Sequence, residues 1–403
     1  MSKTLRFKLI FSFFICHFSF AICKAQILSP AAKVSLITVS SGDELYSVFG
    51  HSAIAITDYD RGIDRVYNYG TFDFKAGYFI LKFLRGTLPY QLSVYGMYGM
   101  VEGSRQENRT VTEQVLNLSQ SQKEKLLNLL EINYLPENKN YAYRFFYDNC
   151  STRIRDMFKA ACGDSLQYSQ TSVATNPKSY RDWMNDYLKQ KPWARFGMNA
   201  AIGAPSDHVA DAQQEMYLPN NLMAHCTAAK LGGGSFVKET KVLFEQTATE
   251  PTPFWIDIFS PASLFMIVGL FIVLYLNKRQ KNKPLTNYTF DKILLGIVGF
   301  WGVFVLLLWV ATNHGVTNWN QNLLWLMPLH LPAAFMLGKA KYRQRLSVYF
   351  YVCAALVVGC IVLWVVGQVW KQTTWIPKDS TWLLLALFSR QIFLAKKLRL
   401  SAG

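Results

Sequence analysis

The residues of this sequence that could carry covalent chemistry lie at positions 147–158, around a single cysteine. Apolar residues recur at helical spacing in the second half of this segment, which predicts a helix. Asn149 is a favourable capping residue, so Cys150 is expected at the first helical position. The free N–H groups of a helix start favour a thiolate over a thiol, and Arg153 and Arg155 add positive charge nearby. Cys150 is therefore a candidate nucleophile.

A cysteine nucleophile needs a base, and His51 is the best placed histidine of the soluble part of the chain, which also holds His208 and His225. His51 follows Gly50, and the residues after it are typical of a glycine turn that enters a buried strand. A histidine at a strand start that faces a cysteine at a helix start has the geometry of a Cys–His pair. The alternative is structural, because a lone cysteine near a helix start is usually a small buried residue.

The composition favours a membrane protein. Of 403 residues, 51% are hydrophobic and only 17% are charged, which is apolar for a soluble protein. The formal charge of +16 would suit nucleic acid, but much of it flanks apolar runs, where it indicates membrane topology and no nucleic-acid partner. The seven cysteines lack metal-type spacing, so no metal or other cofactor is expected. Cys162 and Cys226 are expected to be buried free thiols, with a disulfide as the alternative.

The chain divides into three predicted segments. Residues 1–25 combine a charged start, an apolar run and a small-residue ending, and we interpret them as a secretory signal cleaved before Gln26. Residues 26–246 have a soluble character and are expected to be exported. Residues 253–398 are expected to form an α-helical membrane domain of about five spans.

The exported segment mixes strand and helix patterns, so its predicted fold class is α+β. Strands are predicted at residues 34–39, 51–57, 64–69 and 111–118. Ser121 and Glu124 would form a capping box before a helix. The aromatic and glycine-rich residues 72–98 are expected to pack against the site or the membrane surface. His51 is thus placed on a strand and Cys150 on a helix.

Charge predicts how the membrane domain is oriented. Apolar runs lie at about residues 256–276, 293–311, 323–337, 348–370 and 382–394, of which the third and fifth are short for a span. Lysines and arginines follow the first, third and fifth runs, whereas residues 312–321 contain none. The positive-inside rule places the basic segments in the cytoplasm and the exported domain on the opposite side.

The connection after the second run is therefore expected beneath the exported domain. Its polar residues His314, Asn318, Asn320 and Asn322 are predicted to bind a lipid headgroup by hydrogen bonds, without a role in the chemistry. The alternative is an interfacial loop with capping asparagines and a tryptophan anchor. His330 lies within the third run, where polar residues are costly and tend to be functional.

Several motifs together resemble a known family. They are GHS at residues 50–52, VYNYGTFDF at 66–74, ENR at 107–109 and YDNC at 147–150, with further similarity at 192–197, 322–325 and 328–330. They resemble the Lnb N-terminal periplasmic domain family of the Bacteroidetes, over nearly the whole mature chain. Asn199 departs from it, since an acidic residue is expected there. More distantly, the order of histidine and cysteine resembles the circularly permuted papain-like enzymes of the NlpC/P60 type.

The resemblance implies lipoprotein N-acyltransfer, in which a fatty acyl group moves onto the α-amino group of the lipidated amino-terminal cysteine of an exported lipoprotein. The implied partners are diacylated lipoproteins and membrane lipid acyl donors. The implied location is the inner membrane, with the amino-terminal domain in the periplasm. The sequence names neither the acyl donor nor the oligomeric state.

The chemistry of acyl transfer suggests a role for each residue of the site. Cys150 would carry the acyl group as a thioester, and His51 would take and return the proton. The third, orienting group is left open, with Asn68 the first choice and Tyr69 and Asp148 behind it. Other residues beside the pair are candidates for binding substrate: Tyr69, Tyr147 and Asn149.

Two other functions are compatible with the sequence. A membrane-anchored cell-wall cysteine peptidase of the NlpC/P60 type would use the same residues, although a single anchor would suffice for it. A non-catalytic receptor would need a sizeable cytoplasmic domain, and the sequence shows only short basic segments there.

Overall fold

The amino-terminal part of the chain is a mixed α+β domain and the carboxy-terminal part is helical, as the sequence predicts. The computed structural model describes residues 28–72, 77–247, 255–369 and 378–401. The signal predicted at residues 1–25 lies outside the described residues.

The main sheet has seven antiparallel strands in the order β10-β5-β1-β2-β3-β4-β6, and β7, β8 and β9 form a small second sheet. The four predicted strands are confirmed as β1, β2, β3 and β5. β10 was not predicted, because most of its side chains are exposed and it pairs along one edge only. The bounds are β1 Lys33–Val39, β2 His51–Asp58, β3 Ile63–Thr71, β4 Pro89–Tyr95, β5 Val111–Leu116, β6 Asn140–Ala142, β7 Leu166–Gln167, β8 Lys230–Leu231, β9 Gly234–Ser235 and β10 Val237–Phe244.

The helices of this domain pack on both faces of the sheet. Their bounds are α1 Phe79–Leu84, α2 Met97–Gln106, α3 Gln120–Tyr134, α4 Cys150–Cys162, α5 Tyr180–Tyr187, α6 Pro192–Ala201 and α7 Pro219–Ala228. The predicted capping box of α3 is wrong by two residues. Ser119 is the cap, and its hydroxyl accepts a hydrogen bond from the backbone N–H of Gln122. In return, the side-chain oxygen of Gln122 accepts from the backbone N–H of Ser119. Ser119 has extended backbone and the helix begins directly after it, so the predicted pair already lies inside the first turn.

Alternation along β2 separates the two faces. Ile54 and Ile56 lie in the core cluster that contains Phe158 of α4, whereas Ala53 and Ala55 pack towards Met100 of α2. This period of two places α4 against one face of β2. The start of α4 lies at the end of the sheet where β2 begins, since the hydroxyls of Ser151 and Ser52 are 3.1 Å apart.

Three described helices of the carboxy-terminal part are long and apolar enough to cross a membrane: Pro261–Gln280, Thr289–Val310 and Ala340–Gly367. In chain order, after a short α8 at Trp255–Ile258, the helices are α9 Pro261–Gln280, α10 Thr289–Val310, α11 His330–Met336, α12 Arg343–Val369 and α13 Thr381–Leu400.

The third predicted run does not form a spanning helix. Within it α11 has seven residues and begins after Pro328, since a proline disfavours helix in the residue before it. The fifth run belongs to α13, which has 20 residues but carries Arg390 at its middle. Asp379, just before α13, pairs with Arg195 of the amino-terminal domain at 2.8 Å. Lys397, near the end of α13, donates to the carbonyls of Lys281 and Lys283, which follow α9. Whether α13 crosses the membrane stays a prediction.

The predicted orientation agrees with the contacts between the two parts. The connection from α10 to α11 lies on the amino-terminal domain, where the N–H of Gly203 donates to the carbonyl of Val316 at 2.8 Å. A Cβ on Gly203 would come within 1.9 Å of the carbonyl oxygen of Asn318, so only glycine permits this approach. The basic segments lie together at the other end, where Arg343 donates to the carbonyl of Ser401.

A buried ion pair joins three helices of the carboxy-terminal part. Arg390 of α13 donates to both carboxylate oxygens of Asp291 on α10, at 2.6 and 2.8 Å. It also donates to Asn277 at 2.7 Å and to Gln280 at 2.9 Å, both on α9. Both charged side chains are at most 2% exposed. Each buried charge is therefore stabilised mainly by the opposite charge of its partner.

Asp291→Ala is expected to destabilise the protein by about 3–5 kcal/mol, because it leaves the Arg390 guanidinium buried without a counter-charge. Thermal unfolding in detergent measures the loss. The double variant Asp291→Leu/Arg390→Leu removes both charges and should be more stable than the single variant. Equal unfolding temperatures for wild type and Asp291→Ala would show that the pair contributes nothing to stability.

Candidate functional site

The structure brings Cys150, His51 and Asn68 together at the end of the sheet. Cys150 is the first residue of α4, His51 is the first residue of β2, and Asn68 lies on β3. Nε2 of His51 lies 2.5 Å from Oδ1 of Asn68. The imidazole lies near enough to the Cys150 thiol for each group to shift the pKa of the other. Since Nε2 faces Asn68, Nδ1 is the nitrogen left for the sulfur.

Asn149 holds Cys150 at the helix start. Its side-chain oxygen accepts from the N–H groups of Ser151 and Thr152, at 2.9 and 3.0 Å. The Thr152 hydroxyl accepts from the Asn149 N–H in return, at 2.8 Å. The Asn149 amide nitrogen donates to two backbone carbonyls in neighbouring loops. All of its hydrogen-bonding groups are thus used within the protein, so the structure gives it a positioning role in place of the predicted substrate binding.

The site favours a charged pair. Burial opposes ionisation of Cys150, but the charge and hydrogen bond of His51, the Ser52 backbone N–H and the Ser151 hydroxyl together lower its pKa. Burial likewise opposes protonation of His51, but the Cys150 sulfur and the hydrogen bond to Asn68 raise its pKa. Both shifts stabilise a thiolate beside an imidazolium, which is the reactive form of a cysteine nucleophile.

The other two cysteines of the amino-terminal domain lack such a partner. Cys162 and Cys226 are free, buried thiols, as predicted. Burial raises the pKa of Cys162 to about 11 and that of Cys226 further. Thiols with raised pKa values are poor nucleophiles at neutral pH. Of these three cysteines, Cys150 is therefore the one suited to covalent chemistry.

Of the three candidates for the orienting group, Asn68 contacts His51. Its amide nitrogen donates to the hydroxyl of Tyr95, so its oxygen faces the imidazole. Asp148 instead forms a two-point ion pair with Arg153, at 2.6 and 2.9 Å. The hydroxyl of Tyr69 is buried without a hydrogen-bond partner among the described residues. An asparagine in this position fixes the imidazole orientation, as in Cys–His–Asn constellations.

The sequence patterns did not identify Tyr141, whose buried hydroxyl lies across Gly70 from Cys150. A Cβ on Gly70 would lie 3.8 Å from the Cys150 Cβ, 3.8 Å from the Tyr141 hydroxyl and 3.5 Å from the ring of Tyr143. The absence of a side chain there leaves space between these groups. The Tyr141 hydroxyl has no partner among the described residues, and burial raises its pKa, so it stays a donor. The alternating aromatic residues before YDNC are the signal that could have identified it.

A cleft of about 270 Å³ opens on the imidazole side of the site. Its lining includes His51, Asn68, Gly70, Phe72 and Arg109. Nη2 of Arg109 is buried without a partner among the described residues, although its other nitrogens bond to Ser40 and Glu107. A reactant in this cleft would reach the imidazole directly.

The remaining predicted binding residues lie away from this cleft. Tyr147 is partly exposed and packs edge-on against Tyr180. His314 bonds through Nε2 to the Leu84 carbonyl at 3.0 Å. Asn318 makes close backbone contact with Gly203. None of these residues is among those that line the cleft.

The predicted headgroup role of Asn320 and Asn322 is wrong in this geometry, because both side chains are buried. Their amide nitrogens donate to backbone carbonyls at the end of α6, at 2.9–3.4 Å. Buried donors need partners within the protein, and here these bonds attach the connection to the amino-terminal domain. His330 is also buried, with Nδ1 at 2.7 Å from the Tyr349 hydroxyl. Among the described residues, no group of three or more potential metal ligands occurs.

Comparisons with known proteins agree with both halves of this architecture. Residues 21–186 match the Lnb N-terminal periplasmic domain, and residues 253–397 match the Lnb transmembrane domain. No curated protein and no solved structure matches the chain, so a permuted papain-like fold stays a prediction. The protein is a membrane protein with a periplasmic amino-terminal domain, and it belongs to the Lnb family.

Proposed function

We propose that this protein is a lipoprotein N-acyltransferase of the inner membrane that works through a thioester on Cys150. The observation that supports this most is the Cys150–His51–Asn68 arrangement in a periplasmic domain attached to a membrane domain. Both substrates of such an enzyme, a membrane lipid and a diacylated lipoprotein, are held in the bilayer. An enzyme that joins them needs its nucleophile near the membrane surface.

In the first step the Cys150 thiolate attacks the ester carbonyl of the acyl donor. A carbon–sulfur bond forms, and the carbonyl oxygen becomes an oxyanion. The Cys150 backbone N–H and the Tyr141 hydroxyl are the donors proposed to stabilise it. The ester carbon–oxygen bond then breaks, and the His51 imidazolium gives its proton to the departing alcohol. The products are an acyl thioester and a lipid with one acyl chain fewer.

In the second step the free α-amine of the lipidated cysteine attacks the thioester. His51, now neutral, accepts a proton from the amine as the carbon–nitrogen bond forms. The carbon–sulfur bond breaks, and the thiolate is restored beside the imidazolium. Cys150 is only 7% exposed, which limits the access of water that would hydrolyse the thioester.

A mass spectrum of the amino-terminal peptide of a lipoprotein tests this function. The purified protein in phospholipid vesicles should add the mass of one fatty acyl group to the α-amine of a diacylated lipoprotein. The cell-wall cysteine peptidase is the alternative function for the same residues. An unchanged lipoprotein peptide, together with cleavage of cell-wall peptides by the same preparation, would establish the peptidase in place of the acyltransferase.

A further inference from the structure

Helix α1 presents a cluster of exposed apolar side chains. Ile80 is 72% exposed, Leu81 54% and Phe83 49%. Tyr78, just before the helix, is exposed as well. Several large apolar side chains exposed on one short helix are unusual in water and mark a contact with a membrane or a protein.

The height of α1 relative to the membrane domain is set by two hydrogen bonds. The carbonyl of Leu84 accepts from Nε2 of His314 at 3.0 Å, and the carbonyl of Arg85 accepts from the N–H of Asn313 at 2.9 Å. The spanning helix α10 ends at Val310, and three residues reach roughly 10 Å at most. The end of α1 therefore lies close to the end of α10, which is the end expected at the periplasmic surface.

The charges around α1 suit a phospholipid surface. Residues 78–88 contain Lys82 and Arg85 and no aspartate or glutamate. Long basic side chains beside apolar ones reach the headgroup phosphates while their neighbours enter the acyl region. A soluble protein partner would require a second apolar surface to cover the cluster, whereas the periplasmic leaflet is already adjacent. These observations favour lipid as the occupant.

A row of aromatic rings connects α1 to the thiol. The ring of Phe79 lies 5.9 Å from that of Phe72, which lies 5.1 Å from that of Tyr90. Tyr90 stacks on Tyr143 at 4.4 Å. Phe72 and Gly70 both line the cleft beside His51, and Tyr143 borders the space over Gly70 next to Cys150. The row is therefore continuous from the exposed helix to the site.

We propose that α1 inserts Ile80, Leu81 and Phe83 into the periplasmic leaflet, and that the aromatic row guides an acyl chain of a glycerophospholipid from that leaflet to Cys150. The insertion is a property of the fold alone. The guiding role rests on the proposed acyl transfer.

A nitroxide label at Ile80→Cys tests the insertion, in a Cys150→Ser background whose other described cysteines are buried. The protein is placed in vesicles of phosphatidylethanolamine and phosphatidylglycerol. The label should be accessible to oxygen and protected from a water-soluble nickel reagent. Tyr59→Cys is the matched control, since Tyr59 is 84% exposed on the turn between β2 and β3. Equal nickel accessibility at the two positions would overturn the insertion.

The triple variant Ile80→Ser/Leu81→Ser/Phe83→Ser tests the guiding role. Acyl transfer from vesicle lipid should fall at least roughly tenfold, because the helix no longer contacts the leaflet. Alkylation of Cys150 by iodoacetamide should keep its wild-type rate, which shows that the site is intact. Unchanged acyl transfer would overturn the guiding role. If the wild-type protein transfers no acyl group, the guiding role falls with the proposed function, while the label at position 80 still decides the insertion.

Discussion

Replacing Cys150 by serine is expected to lower acyl transfer by at least a factor of about 10³ while the protein stays folded and inserted. A serine hydroxyl ionises at far higher pH than a thiol, so the interactions that lower the Cys150 pKa cannot make it a nucleophile at neutral pH. The substitution is close to isosteric, and the Ser52 N–H that helps to lower the Cys150 pKa keeps an acceptor nearby. The large effect is therefore chemical and not structural.

The measurement is the mass spectrum of the lipoprotein peptide, with the circular-dichroism spectrum as the check on folding. Cys162→Ser is the matched control, because it also replaces a buried thiol of α4 but one with a raised pKa. It should transfer acyl groups at nearly the wild-type rate. An acyl mass on the peptide that contains Cys150, trapped before the amine is added, would show the thioester directly. Near-normal activity of Cys150→Ser would exclude this residue as the nucleophile.

His51→Ala is expected to lower acyl transfer by roughly 10²–10⁴, the usual contribution of a general acid–base group. It also removes the charge and hydrogen bond that lower the Cys150 pKa, and leaves the burial that raises it. In the wild-type protein the thiolate persists as pH falls until the lowered pKa of Cys150 is passed. In the variant it should be lost at a higher pH.

The rate of alkylation of Cys150 by iodoacetamide, measured against pH, reports this shift. The wild-type profile should extend below the range of an ordinary thiol, and the His51→Ala profile should move to higher pH. His208→Ala is the control. His208 forms a hydrogen bond with Gln214 and is not among the groups that shift the pKa of Cys150. Identical profiles for wild type and His51→Ala would mean that the imidazole does not activate the cysteine.

Contacts between the two domains fix the position of the site relative to the membrane helices. Arg195 and Asp379 form an ion pair across the boundary, and the amides of Asn320 and Asn322 bond to carbonyls at the end of α6. These contacts and those of α1 attach the periplasmic domain to the connection between α10 and α11 and to the start of α13. Residues predicted to bind substrate thus act here by holding the domain in place.

Much of this protein is determined by local sequence. The helix start at Cys150 follows from the capping ability of Asn149, which depends on residues within one helical turn. The strands β1, β2, β3 and β5 follow from their apolar patterns, and the sidedness of the membrane part follows from the position of its basic residues. Each of these depends on neighbours in the chain, so a single sequence suffices to predict it.

The tertiary structure decided what depends on distant residues. Ile54 pairs with Tyr67, and this register places His51 and Asn68 on one face of the sheet, where they meet. Patterns alone do not set that register, so the sequence ranks Asn68 before Tyr69 and Asp148 without excluding either of them. The Tyr141 hydroxyl, which has no partner among the described residues, lies across Gly70 from Cys150, and Gly70 is distant from both in sequence. The burial of Asn320 and Asn322 against α6 likewise joins segments far apart in sequence. A buried polar side chain forms hydrogen bonds with the groups that folding brings next to it. Its partners are therefore fixed only when the helices and strands pack together.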